Sequence, residues 1–340
     1  MSDVAEQEPL ECLPDGLVAA LEVRDRWRQQ VAAQSTGLEF IVSDLARWPV
    51  GSRVRVAFLD GDKALHAKIV EATAQLTDNA NLVLDFGLDA TTGEFRRWTT
   101  NDTTYAAEIR VSFDQPGFWS MVGTDSNDPT LGSPLDLSGG RPNQRSLNLG
   151  KFKEVLPARW QGVVRHEFLH AIAFTHEHQN MRGPCEDEFR WEDDAGYVPT
   201  TDARGVFVPD AAGRRPGIYT YLAGPPNEWP RPKVDHNLRT SEDPTLVAGP
   251  FDNKSIMLYQ FAAFFYKSNP SSCAPKGDGI NLSEEDVRGL RLLYPEVADE
   301  LSARANEALK ELMDLGSGTD ALGGGNSAYY DRATELLRAF

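Results

Sequence analysis

Apolar positions along this chain change their period several times, and each change marks an element. Leu17, Leu21, Trp27 and Val31 recur at helical spacing, and Gly37 follows the polar end of that run. This predicts a helical N-terminal piece over residues 1–36. The stretch RVRVAFL (53–59) alternates, as a strand does. Over 62–78 the spacing of Ala64, Leu65, Ile69, Ala72 and Leu76 predicts a helix with one apolar face. NLVLDFG (81–87) and AEIRVSF (107–113) predict two further strands. A strand–helix–strand order implies a mixed or parallel sheet with a crossover helix.

The pattern then breaks. Residues 114–145 are rich in Gly, Pro, Asp, Asn and Ser and read mainly as loop. SLNLG (146–150) predicts a short strand, and residues 158–174 a helix. Residues 179–254 are polar and Pro- and Gly-rich, with many aromatics, and read as a long irregular insertion. SIMLY (255–259) follows it. LSEEDVRGLRLLYP (282–295) predicts a helix with a capping signal at Ser283 and Asp286 and a terminating proline. Residues 297–340 form two amphipathic helical runs around a glycine-rich break. The expected organisation is an N-terminal extension over 1–36 that could serve as a pro-segment, one main domain over 37–296, and a C-terminal helical extension over 297–340.

Composition narrows the partners. With 41% hydrophobic residues in 340, the chain can build one large core or two modest ones. Asp and Glu number 51 against 34 Lys and Arg, a formal charge of -17. That field repels phosphate backbones and anionic lipid, so neither nucleic acid nor a membrane is an expected partner, and a monomer is expected. No run of about 18 apolar residues is present to span a bilayer. The acidic N-terminus MSDVAEQEPLECLPDG has no apolar run and does not read as a secretory signal. Three cysteines are too few for a disulfide scaffold. Cys185 and Cys273 bracket the insertion and SIMLY, and they read either as a bridge formed in an oxidising compartment or as two unrelated thiols.

The chemistry is concentrated in one segment, His166-Glu167-Phe168-Leu169-His170-Ala171-Ile172-Ala173-Phe174-Thr175-His176-Glu177-His178. Helix positions i and i+4 share a face, so His166 and His170 can bind one ion from the same side. Glu167 is offset from that face, placed to take a proton from an activated water rather than to ligate. No straight helix brings His176 to the same point, so the chain must break after about Ala173 and turn back. Three imidazoles leave a coordination position open, which is the catalytic pattern for Zn2+. The chain has 6 histidines, and four of them fall within this segment, which makes a chance occurrence of the motif a poor explanation. His178 reads as a surface or hydrogen-bonded residue beyond the ligands. A carboxylate ligand from Glu186, Glu188 or Glu192 is a weaker alternative to His176.

Taken with Ser255-Ile256-Met257-Leu258-Tyr259, the histidine segment resembles the metzincin signature of a zinc helix followed by a methionine turn. Within metzincins it is most similar to the astacin family, on Glu177 after the third histidine, the Ser-Ile-Met-x-Tyr turn, and GFWSMVG (117–123). The resemblance covers about residues 50–296. It implies an α+β, zincin-like fold with a twisted mixed sheet, an active-site helix and an irregular lower subdomain. It implies zinc on His166, His170 and His176, Glu167 as base, Met257 as an apolar floor, Tyr259 as an oxyanion donor and Glu177 as a structural residue. It also suggests an extracellular setting, although the sequence leaves a cytoplasmic one open. Two features depart from the family. Ala173 stands where the family has Gly, and GFWSMVG lacks the family's preceding cysteine.

The implied activity is zinc-dependent cleavage of protein or peptide substrates lying extended along an edge strand, either SLNLG or one formed within 117–123. The alternative is a zinc-binding pseudoprotease or interaction module. Cys12, in Glu-Cys-Leu-Pro-Asp-Gly, faintly resembles a cysteine switch of matrix metalloproteases and is a candidate blocking ligand.

Overall fold

The computed structural model describes residues 10–33, 46–240 and 249–296, and it divides into two compact units. The predicted C-terminal extension at 297–340 lies outside the described residues, as do the side chains of Trp27 and Val31.

The first unit comprises, among the described residues, 13–33, 46–175 and 280–296. Helix α1 (Asp15–Ala33) opens it, followed by β1 (Arg53–Phe58), α2 (Lys63–Thr77), β2 (Val83–Asp85), β3 (Ile109–Ser112) and β4 (Phe118–Ser120). A small ribbon follows, β5 (Gly132–Ser133) with β6 (Ser138–Gly139), then β7 (Leu147–Leu149) and α3 (Trp160–Ala171). The main sheet runs β2-β1-β3-β7-β4. Its first four strands are parallel, and β4 pairs antiparallel with β7, Trp119 opposite Asn148. This is the mixed sheet that the strand–helix–strand order predicts.

Local chemistry sets the element ends. The Asp62 carboxylate accepts from Leu65 N at 2.8 Å and caps α2, whose Leu65, His66, Ile69, Ala72 and Leu76 are buried. The His66 ring stacks on Phe58 of β1 at 3.9 Å. Strand β2 is shorter than the predicted 81–87. The Asp85 side chain takes the N–H of Gly87 at 2.9 Å, and that turn, with Gly87 at φ 58°, ends the ladder. Helix α3 packs on α2, β4 and β7.

The segment predicted as loop, 114–145, is ordered around a buried charge. Arg110 is completely buried, and its guanidinium donates to the carbonyls of Gln144 at 2.7 Å and Gly139 at 3.0 Å, and to that of Ser126. A guanidinium has five donors, so one side chain can tie several loop carbonyls together. Against this loop and β4 lies α1. Leu17 is buried with Trp119, Met121 and Leu131, and Arg24 pairs with Asp125.

The second unit comprises, among the described residues, 10–12, 176–240 and 249–279. Among its described residues the predicted irregular insertion holds three short helices, α4 (Cys185–Glu188), α5 (Ile218–Ala223) and α6 (Arg231–Leu238). They enclose an aromatic core that includes Phe189, Trp191, Tyr221, Trp229, Phe261, Phe265 and Tyr266. Cys185 and Cys273 form a disulfide, so of the two readings left open the bridge is the one present. Helix α7 (Glu284–Leu293) belongs again to the sheet unit, with the predicted capping box formed at Ser283 and Asp286. Among the described residues no helix is long and apolar enough to cross a membrane.

Candidate metal centre

Helix α3 carries His166 and His170 one turn apart, with ring centroids 4.9 Å apart and edge to face. Glu167 and His170 are buried. The helix ends as a Schellman turn. Phe174 N donates to Leu169 O at 3.0 Å, and Ala173 N to His170 O at 2.9 Å. Ala173 occupies the left-handed position at φ 78°, the turn the sequence requires before His176. An L-residue there costs about 1–2 kcal/mol over glycine. His170 Nδ1 lies 2.8 Å from the Phe174 carbonyl. A carbonyl only accepts, so Nδ1 carries the proton and Nε2 keeps its lone pair for a ligand.

His176 follows two residues later. Its ring meets Tyr259 edge to face at 4.5 Å and lies 5.1 Å from His178. The next residue joins it to the methionine turn, since Glu177 N donates to Met257 O at 3.0 Å. The Glu177 carboxylate accepts from Asp252 N at 2.8 Å and Asn180 Nδ2 at 3.0 Å, which ties down the chain ahead of the turn. Met257 is buried, and its N–H donates to Ser255 Oγ at 3.0 Å. His178 is a buried core residue rather than a surface one. Its Nε2 donates to Asn237 O at 2.9 Å, and its ring lies among Tyr259, Phe261 and Phe189. None of Glu186, Glu188 and Glu192 joins the histidines.

One ligand atom from each of Glu11, His166, His170 and His176 lies within 4.8 Å of the others. Three imidazoles and one carboxylate suit zinc, which takes nitrogen and oxygen ligands in fours. Glu11 was not among the residues predicted from sequence. Its carboxylate is 3.2 Å from His176 Nε2, and its carbonyl accepts from Tyr259 Oη at 3.1 Å. Cys12, the predicted blocking ligand, is not in this group and packs instead against the aromatic core. The only local cue to Glu11 was an acid one residue from the cysteine that drew attention, and an acid in an acidic tail stands out little.

No protein-family model and no curated protein sequence matches the chain. Solved structures do. One structure of myroilysin matches with a TM-score of 0.50 at 24% identity, over 74% of this chain and 97% of that one. A second structure of myroilysin gives 0.42 at 21% identity, over 74% and 86%. High choriolytic enzyme 1, a hatching enzyme zinc-protease from the medaka Oryzias latipes, gives 0.41 at 16%, over 74% and 96%. The first match shows that this chain shares the fold of myroilysin, an α+β arrangement on a mixed sheet.

Proposed function

We propose that this chain is a zinc-dependent endopeptidase held latent by its own N-terminal segment. The observation that carries the reading is the convergence of His166, His170 and His176 with the Glu11 carboxylate. His166, His170 and His176 would hold the ion, and Glu11 would take the coordination position that the attacking water needs. Zinc, when bound, supplies a Lewis acid and lowers the pKa of water. Glu167 takes the proton of the attacking water and passes it to the leaving amine. Tyr259 donates to the oxyanion of the tetrahedral intermediate, once its hydroxyl is released from the Glu11 carbonyl. The substrate is a protein or peptide that pairs in extended form with the sheet's edge strand, β4. Latency is further supported at β4, because the apolar face of α1 covers Trp119 and Met121. In this reading the N-terminal segment occupies both the metal and the strand that substrate needs, and an acid rather than the Cys12 thiol does the blocking.

Casein hydrolysis by the chain freed of residues 1–36, with and without chelator, tests the activity. Glu167→Ala is expected to keep one zinc per chain and to lose about 10²–10⁴-fold in turnover. A variant with near-normal turnover would remove Glu167 as the base. A chain that holds zinc but stays inactive both as Glu11→Ala and, separately, after trimming of residues 1–36 would favour the pseudoprotease alternative.

A further inference from the structure

The end of α3 has a complete hydrogen-bond account. The last carbonyls of a helix lack intrahelical donors and must find others. Leu169 O and His170 O are served by the turn itself, through Phe174 N and Ala173 N. The next two carbonyls are served by side chains from distant parts of the sequence. Trp48 Nε1 donates to Ala171 O at 2.7 Å, and Tyr294 Oη donates to Ile172 O at 3.0 Å. Both donors are completely buried. Their neighbours are tied together as well, since the Arg47 guanidinium donates to Leu293 O at 2.7 Å.

We propose that Trp48 and Tyr294 are positioning residues of the metal centre. By holding the Ala171 and Ile172 carbonyls they keep Ala173 in the left-handed turn, which glycine would adopt unaided. The turn presents the Phe174 carbonyl to His170 Nδ1, and that contact selects the tautomer and the ring orientation in which Nε2 can ligate. The chain leaves the same turn toward His176. Two ligands therefore depend on a turn whose backbone preference runs against it, and the clamp supplies what the missing glycine does not. The proposal rests on the zinc reading for the identity of the ion.

The test is zinc affinity of the full-length chain, read by competition with a chromogenic chelator and independent of peptidase activity. Tyr294→Phe removes one donor and keeps the ring, and Trp48→Phe removes the other donor and leaves a smaller aromatic ring in its place. Each is expected to weaken zinc binding roughly 10-fold, the lower end for loss of a group that orients a ligand. Ala173→Gly added to either variant is expected to return affinity to within about 3-fold of wild type, because glycine needs no clamp. Tyr105→Phe is the matched control. It too takes a phenol from a backbone carbonyl, Gly140 O at 2.7 Å, but away from the turn, and should leave zinc affinity unchanged. Wild-type affinity in both clamp variants would overturn the proposal while leaving the zinc reading intact. Weakened binding that Ala173→Gly does not restore, or an equal loss in Tyr105→Phe, would also overturn it. A wild-type chain that takes up no zinc would end both.

Discussion

The two units hold their histidines by different physics. In the sheet unit His170 sits on a helix whose final carbonyls each have a directed donor, and its own ring is fixed by a carbonyl at 2.8 Å. In the other unit the His176 ring packs edge to face on Tyr259 at 4.5 Å and lies 5.1 Å from His178, beside a core of aromatic side chains, while its Nε2 meets the Glu11 carboxylate at 3.2 Å. Hydrogen bonds fix a ring's angle, because they weaken steeply with misalignment. Aromatic packing fixes its place through buried area, with broad tolerance in angle. The orienting contacts of the first unit are therefore sensitive to single polar atoms. The second unit should respond to loss of bulk or of its covalent tie.

The largest effect expected from this contrast is at the disulfide. Cys185 and Cys273 close a loop with a sequence separation of 88, and among its described residues the second unit has short helices to set against the chain entropy of that loop. Replacing both by Ser should cost about 4.6 kcal/mol on the chain-entropy model. Urea unfolding followed by the aromatic signal of this unit measures it. A loss below about 1 kcal/mol would mean that the aromatic core suffices without the bridge.

Next in size is Phe189→Ala. Phe189 is completely buried, with Phe261 at 5.1 Å and Trp191 at 5.5 Å, both edge to face. The expected loss is about 3–5 kcal/mol, the usual range for removing a buried ring. Tyr259→Phe keeps the ring that packs on His176 and removes only the hydroxyl. It should therefore leave stability and zinc content nearly unchanged while lowering kcat of the activated protein roughly 10- to 1,000-fold. If it instead loosened zinc as much as loss of a ring would, the hydroxyl would matter for holding His176 and the contrast between the units would blur.

The same contrast explains what could be read from the sequence. Elements of the sheet unit announce themselves by period, as α2 does through Leu65, Ile69, Ala72 and Leu76. His166 and His170 are legible because a ligand pair at i and i+4 is a local pattern. The left-handed turn at Ala173 followed from where His176 had to go. The short helices of the second unit carry no such period, because their residues are buried in an aromatic cluster rather than along one stripe. Nothing in the strand 107–113 marks Arg110 out, since the loop carbonyls it gathers come together only in the fold. Glu11 was invisible for the same reason, with 165 positions separating it from His176. Trp48 and Tyr294 carry no local signal of their role, because their polar atoms meet the end of α3 only through tertiary contact.

The smallest predicted effect lies in the sheet unit and is a pH dependence. The His66 ring is completely buried between β1 and α2, stacked on Phe58, with Nε2 donating to Asp60 O at 2.8 Å. Burial pushes its pKa below the ordinary imidazole value, and the Asp60 carbonyl opposes this only in part. The folded chain thus keeps His66 neutral at a pH where the unfolded chain has begun to take up a proton. Its contribution to stability is complete above about pH 6.5, the unfolded value, and is lost as the pH falls through the lower folded value. His66→Phe retains the stack on Phe58 and has no proton to bind, and Asp60 O still accepts from Arg97 at 2.9 Å. Urea midpoints at pH 7.5 and pH 5 should therefore differ less in the variant than in the wild type. An equal drop in both proteins would mean that the acid sensitivity of this unit comes from its carboxylates and not from the buried imidazole.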